Sequence, residues 1–243
     1  MPADTHGRTH RLELADATLR DWDAVVVGVE DDGVVLDRSA FYPGGGGQPP
    51  DHGVLLWQGV QARVVGVRKG DDLVLQLAEG DPVPALGGSV RGAVEDARRT
   101  ALMRTHSALH LLAGVVHREF GALVTGGNME PLSGRLDFDL PEIPAGFKER
   151  IAEQCAVEVA ADRRIDVRVL PRDEAFRIPD IIRTATNLLP PELTEVRIVD
   201  IVGLDAQADG GTHVASTRQI GRIDVVKVES KGKANRRLRI SLS

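Results

Sequence analysis

The chain is short of cysteine, of aromatic residues and of long apolar runs, and each shortage excludes something. A single cysteine, Cys155, rules out an internal disulfide and fits a reducing compartment. It falls in a stretch, Ile151–Val159, that reads as helix, where a small buried apolar role suits it. Aromatics make up 3% of the residues, too few for base stacking to be the main recognition device. No apolar stretch reaches the roughly 20 residues a membrane-spanning helix needs. Met1–Arg11 is polar and unlike a signal peptide, and no internal repeat or low-complexity tract is present. These absences lead us to expect a cytoplasmic protein. At 243 residues the chain allows one large domain or two small ones.

A formal charge of −6 looks unpromising for nucleic-acid binding, but its distribution is uneven. Between Lys227 and Arg239, six cations (Lys227, Lys231, Lys233, Arg236, Arg237, Arg239) stand against Glu229, a local net charge of +5, which leaves −11 on the remainder. Such a segment is either a solvated charged strand or a surface that holds phosphates.

Texture changes along the chain. From Arg11 to Val94, β-branched runs alternate with turn signals. Ala24–Val29 and Gly33–Leu36 flank Asp31-Asp32, and Val60–Val67 and Leu73–Leu77 flank Lys69-Gly70-Asp71. This is a hairpin pattern and predicts a small β-barrel. Pro82, Pro84 and Gly87-Gly88 mark a boundary, so domains are expected over 1–94 and 95–243. Beyond it, Asp96–Phe120 has helical period, with Leu102, Leu109, Leu112 and Val116 on one apolar face. A second helix is expected over Phe147–Asp162, and strands over Asp166–Leu170, Glu195–Val202, Arg222–Ser230 and Arg237–Ser241.

On the first helix, His106-Ser107-Ala108-Leu109-His110 places two imidazoles one turn apart on one face, able to reach one divalent ion. The spacing is that of H-E-x-x-H metalloproteases, but Ser107 stands where their general base would be. An isolated pair of this kind can equally be a solvated or hydrogen-bonded helix face. Far downstream, Asp209-Gly210-Gly211-Thr212-His213 supplies another histidine and a carboxylate, making four potential ligands for zinc. His6, His10, His52 and His117 are weaker candidates. Gly44–Gly47 lacks the flanking residues of a phosphate-binding loop and reads as a sharp turn that glycine permits. Arg135 and Asp137 alternate with apolar residues as on a half-buried strand, either as a structural pair or near a ligand, with the structural role favoured.

Several of these segments occur in an order that resembles the alanyl-tRNA editing family, the editing domain of alanyl-tRNA synthetase and its free-standing relatives. They are Leu36–Pro49 with its glycine run, Met103–Leu112, Thr125-Gly126-Gly127-Asn128, Arg135–Phe138, Asn187-Leu188-Leu189-Pro190, Gly203–Val214 and Ser230–Lys233. The resemblance runs from about Arg11 to Leu242 and is far more specific than any one motif.

The resemblance implies an α+β protein, a translation-protein-like β-barrel followed by the mixed α/β editing domain shared by threonyl- and alanyl-tRNA synthetases. It implies hydrolysis in trans of the ester joining a wrong amino acid, chiefly serine and also glycine, to tRNA(Ala), without a charging activity. Zinc would be held by His106, His110, Asp209 and His213. Here the chain departs from its family, which has cysteine at the position of Asp209. A carboxylate can ligate zinc, and its harder oxygen would broaden metal choice. Two alternatives stand beside this: Asp209 behind the ligands as base or orienter, and an inactive site. Thr125 would read the serine hydroxyl, or else satisfy a backbone group at a strand end. Gln48, at the tip of a glycine motif that the family places between barrel and editing core, would assist the substrate's approach. Lys231, Lys233, Arg236 and Arg237 would engage tRNA phosphates. Two other classes compete: a tRNA-binding protein whose metal site has eroded, and a general metal-dependent esterase without need of the basic segment.

Overall fold

The computed structural model describes the chain apart from residues Met1–Asp4, Asp180, Asn187, Leu188, Glu192 and Lys233, and apart from the side chains of Thr5 and His6. The expected phosphate contact Lys233, and the Asn187-Leu188 part of the family motif, therefore lie outside the described residues. Two compact units are present, Met1–Thr100 and Ala101–Ser243.

Up to its last residues the first unit is built of strands, with one short 3-10 turn at Leu12–Leu14. β1 (Thr5–His6), β2 (Thr9–Arg11), β3 (Asp21–Glu30), β4 (Gly33–Leu36), β5 (Arg38–Ser39), β6 (Gly53–Trp57), β7 (Val60–Lys69), β8 (Leu73–Leu77) and β9 (Ser89–Val94) follow one another. Six of them close an antiparallel barrel in the order β3-β4-β8-β7-β6-β9, with both expected hairpins formed. The sequence dictates this by period two: β3 buries Trp22, Ala24 and Val26 and turns the residues between them outward. β7 does the same with Ala62 and Val64. Irregularities in the pairing at Val26/Gly28 and Val64/Gly66 bend the long strands, as barrel closure requires.

The glycine run lies inside this unit, between β5 and β6. Gly44, Gly45, Gly46 and Gly47 all have positive φ, from 59° to 131°, a succession that only glycine adopts without strain. Gly45 and Gln48 exchange both backbone hydrogen bonds at 2.9 Å. Behind the loop, Arg99 and Asp51 form an ion pair with no exposed surface, in which Arg99 also donates to the Ala17 and Ala40 carbonyls at 2.9 and 2.5 Å. The Tyr42 N–H donates to the same Asp51 carboxylate at 2.6 Å. A buried pair this fully bonded is tolerated because neither charge is left uncompensated.

The second unit mixes helix and sheet. α1 (Asp96–Phe120) enters it at Ala101 and is followed by β10 (Val124–Glu130), β11 (Ser133–Phe138), α2 (Phe147–Ala160), β12 (Ile165–Pro171), α3 (Arg172–Ala175), β13 (Glu195–Ile201), β14 (Asp205–Ala208), β15 (Ile223–Ser230) and β16 (Arg236–Leu242). Two antiparallel sheets result, β10-β11-β16-β15 and β12-β13-β14. The expected helices and strands are present with ends shifted by a residue or two. Leu102, Leu109, Leu112 and Val116 of α1 are buried as an apolar face should be, and burial extends beyond them: every residue from Thr105 to Val116 is buried, so the helix has no solvated face there. The sheets crowd it from two directions. Leu109 packs on Gly134 of β11, where an added Cβ would stand 3.2 Å from the leucine methyls. At Gly114 a Cβ would come within 2.8 Å of the Asp205 Cβ.

That second contact positions the candidate site residues. From Asp205 to Asp209 an extended chain advances about 13 Å. From Gly114 back to His106 the helix spans about 12 Å. With the two elements pinned at Gly114, the end of β14 delivers Asp209 to the helical turn that carries the histidine pair.

Candidate metal centre

His106, His110, Asp209 and His213 converge so that one ligand atom from each lies within 4.8 Å of all the others. The centroids of the His106 and His213 rings are 4.4 Å apart, those of His110 and His213 4.7 Å, and those of His106 and His110 4.9 Å. All three histidines are buried, at 3%, 8% and 6% exposure for His106, His110 and His213. Asp209 presents both oxygens to them. Its Oδ1 is 3.5 Å from His106 Nε2 and 3.8 Å from His110 Nε2, and its Oδ2 is 3.0 Å from His213 Nε2.

The hairpin of glycines that follows β14 turns on its own aspartate. The Gly211 N–H donates to Asp209 Oδ2 at 2.6 Å, an Asx turn that fixes the carboxylate while the chain doubles back to His213. From β13, Arg197 holds the Asp209 backbone and brings its guanidinium to 4.0 Å from Asp209 Oδ2.

The electrostatics suit cation binding. Burial drives the pKa of each of the three imidazoles down to about 4, with the positive Arg197 pushing the same way and Asp209 opposing, so at neutral pH the rings are uncharged and each carries a lone pair. For Asp209, burial alone would raise the pKa. The imidazoles around it and the His213 hydrogen bond outweigh that, holding it well below the ordinary carboxylate value. A tetrahedral ion with bonds of 2.0–2.1 Å separates its ligand atoms by about 3.3 Å. The Asp209–imidazole separations of 3.0, 3.5 and 3.8 Å bracket this value, and all four ligand atoms lie within 4.8 Å of one another. Three neutral nitrogens and one carboxylate therefore fit a divalent ion in number, spacing and charge.

Thr125 and Gln48 are the other residues expected to serve such a site. Thr125 is exposed at an irregularity in β10, and its hydroxyl donates to Asn235 Oδ1 at 3.1 Å. Gln48 is buried in the barrel unit's glycine loop. Among the described residues, His10, His52 and His117 join no such group.

The basic segment is less free than its charge count suggested. Arg236 is buried and donates to the carbonyls of Gly232 (2.9 Å), Asn235 (3.0 Å) and Pro141. Arg237 pairs with Asp137 at 2.7 and 2.8 Å, beside the Arg135–Asp137 pair at 3.0 Å, which gives Arg135 and Asp137 the structural role favoured for them. Glu229 takes both Lys227 (2.9 Å) and Arg239 (2.7 Å). Lys231, between β15 and β16, is exposed. Sequence reading missed these partners because strand register and loop path bring them together, and it missed the contacts of Ser107 with His213 and of Arg197 with Asp209 because they depend on tertiary packing.

A curated relative from Saccharolobus solfataricus named alanyl-tRNA editing protein AlaX-M is 38% identical over 232 residues, 95% of this chain and 97% of the relative. The chain belongs to the alanyl-tRNA editing protein family. A second AlaX-M protein, from Methanosarcina barkeri, is 35% identical over 96% of this chain and 99% of its own length. An alanine–tRNA ligase of Pyrobaculum neutrophilum matches 91% of the chain at 36% identity, through a quarter (25%) of the ligase. Within the family frame, residues 14–98 match the description "tRNA synthetases class II (A)". Residues 196–239 match "Threonyl and Alanyl tRNA synthetase second additional domain". The second stretch includes Asp209 and His213, whereas His106 and His110 fall between the two. No helix among the described residues is long and apolar enough to cross a membrane.

Proposed function

We propose that this protein is a metal-dependent aminoacyl-tRNA deacylase that hydrolyses, in trans, the ester joining serine to tRNA(Ala), with glycyl-tRNA(Ala) as second substrate. The convergence of His106, His110, Asp209 and His213 carries this reading, together with relatives named as alanyl-tRNA editing proteins. Zinc is the proposed ion, since three imidazoles and a carboxylate are within its ligand range. When bound it supplies a Lewis acid and a site at which water is more acidic.

The chain's own residues do the rest. His106 and His110 reach the ion from one rigid helical turn, so their spacing does not depend on a loop. Asp209 contributes a negative charge and His213 closes the set. In place of the family's cysteine, Asp209 serves as an oxygen ligand; its two oxygens turned toward three imidazoles favour this over a distant orienting role. Thr125 is the proposed reader of the serine hydroxyl and Gln48 assists the approach of the acceptor end. Lys231 and Lys233 contact tRNA phosphates, and Arg236 and Arg237 reinforce that strand while lending positive potential. The protein acts in the cytoplasm.

The test is deacylation of seryl-, glycyl- and alanyl-tRNA(Ala) by protein of defined metal content. Metal-dependent loss of serine, with alanine spared, is expected. Stoichiometric tRNA binding without turnover at any metal loading would show a binding protein with a degenerate centre instead.

A further inference from the structure

Ser107 stands between the two helical histidines in sequence and meets the third in space. Its side chain has no exposed surface, its Oγ lies 3.1 Å from His213 Nδ1, and the Val214 N–H donates to it at 3.1 Å. On the far side of the same ring, His213 Nε2 is 3.0 Å from Asp209 Oδ2. A neutral imidazole carries one N–H, so it donates on one side and offers a lone pair on the other.

We propose that Ser107 is a positioning residue whose hydroxyl serves both tautomers of His213, allowing the ring to exchange its hydrogen bond to Asp209 for a bond to a divalent ion without turning. The inference rests on the cluster being a metal site. In the first arrangement Nε2–H donates to Asp209, which as a carboxylate only accepts, and Nδ1 accepts the Ser107 proton. In the second the Nε2 lone pair faces the ion, and Nδ1–H donates to Ser107 Oγ. The ring gives up the Nε2 proton to water and takes one from water at Nδ1, so His213 releases no net proton.

A hydroxyl is the smallest group able to serve both. In the second arrangement Oγ accepts from Nδ1–H and from the Val214 N–H together, which fills its two lone pairs. Its own proton then needs an acceptor, and a helical serine has one in the carbonyl four residues back, here that of Met103. A carboxylate at this position only accepts, and would support the second tautomer alone. Alanine would strand both the Val214 N–H and the imidazole nitrogen in a buried place. The glutamate of the protease spacing is thus absent for a positive reason.

The experiment uses the full chain, stripped of metal by chelation, as wild type, Ser107→Ala and Ser107→Thr. Zinc affinity is measured by competition with a chromophoric chelator, and long-range 1H–15N spectra read which His213 nitrogen carries the proton. Wild type should pass from Nε2–H to Nδ1–H as zinc is added. Ser107→Ala should bind zinc about 10–100-fold more weakly, and Ser107→Thr should restore most of that loss. Equal zinc affinity in Ser107→Ala, or a His213 proton that stays on Nδ1 throughout in wild type, overturns the role of Ser107. The wild-type spectra decide the matter even if Ser107→Ala does not fold. A wild type that takes up no zinc overturns the metal reading itself, and the exchange with it.

Discussion

Arg197 grips the main chain of Asp209 from both sides: the Asp209 N–H donates to the Arg197 carbonyl at 3.1 Å, and the Arg197 guanidinium donates to the Asp209 carbonyl at 3.0 Å. The first is a bond that any residue at this end of β13 could accept. The second needs arginine, and it holds the aspartate where its side chain meets three imidazoles. Arg197→Met should therefore weaken metal binding by about 10–100-fold while leaving the ligands intact. Metal titration of the variant checks this; an unchanged affinity would mean that the Gly211 turn alone fixes Asp209.

Asp209 stands where the family resemblance implies a cysteine. Asp209→Ala should lose the metal more completely than Arg197→Met does, because a ligand and not its support is removed. Asp209→Cys should bind zinc more tightly than wild type, since thiolate is the softer donor, and should narrow the choice of metal. Metal content and seryl-tRNA hydrolysis measured side by side in these variants decide it. Full zinc and full activity in Asp209→Ala would make the aspartate a bystander.

Gly114→Ala tests the packing that aligns α1 with β14. Helix propensity alone would favour alanine by about 1 kcal/mol. The new methyl, however, would sit 2.8 Å from the Asp205 Cβ, with Leu204 also close, and overpacking of this kind costs about 1–3 kcal/mol. A net loss of stability on the order of 1 kcal/mol is expected, with weakened metal binding because Asp209 follows directly from that strand. Chemical denaturation gives the sign; stabilisation would show that β14 shifts freely.

Glu158, on α2, ties two arginines together. Burial would raise its pKa, but hydrogen bonds from Arg118 and from Arg163 outweigh that and hold it below the ordinary glutamate value. A carboxyl depressed in the folded state contributes stability above its unfolded pKa, of about 4.3, and loses it as pH falls through the lower folded value. Wild type should thus lose more thermal stability between neutral pH and about pH 3 than Glu158→Gln does. Parallel melting curves across that range would contradict the pair's contribution.

For tRNA, Lys231→Ala with Lys233→Ala should weaken binding and flatten its salt dependence, each lost phosphate contact lowering the slope by roughly one or slightly less. Arg236→Ala should act differently. Its guanidinium holds three backbone carbonyls, so reduced thermal stability is its main expected effect. Unchanged tRNA affinity in the double lysine variant would place the RNA on another face.

Much of the fold was legible because local pattern and tertiary demand agree. The alternation in β3 and β7 is the alternation of a barrel wall, and Asp31-Asp32 and the Lys69–Asp71 turn close hairpins where they were expected. α1 was legible as a helix but not as a helix buried on every side. Thr105, His106, Ser107 and His110 look like a polar stripe, and nothing local tells a solvated stripe from one sealed over a polar centre.

The same distinction runs through the candidate site. Sequence alone singled out the four candidate residues, because imidazoles four apart on a helix share a face and Asp209–His213 is short enough to act as one turn, while the idea that they act together came from the family resemblance. It also showed a single cysteine, Cys155, which the structure buries in α2, where burial pushes its pKa up to about 12. Tertiary structure decided which charges were available. It paired Arg237 with Asp137 and Arg239 with Glu229 across strands, leaving less of the basic segment for RNA than its formal charge implied. It also brought Arg197 and Ser107 behind ligands far from them in the chain. Side-chain partners across a sheet or between helix and loop depend on register and close approach, and these are fixed only when the whole unit packs.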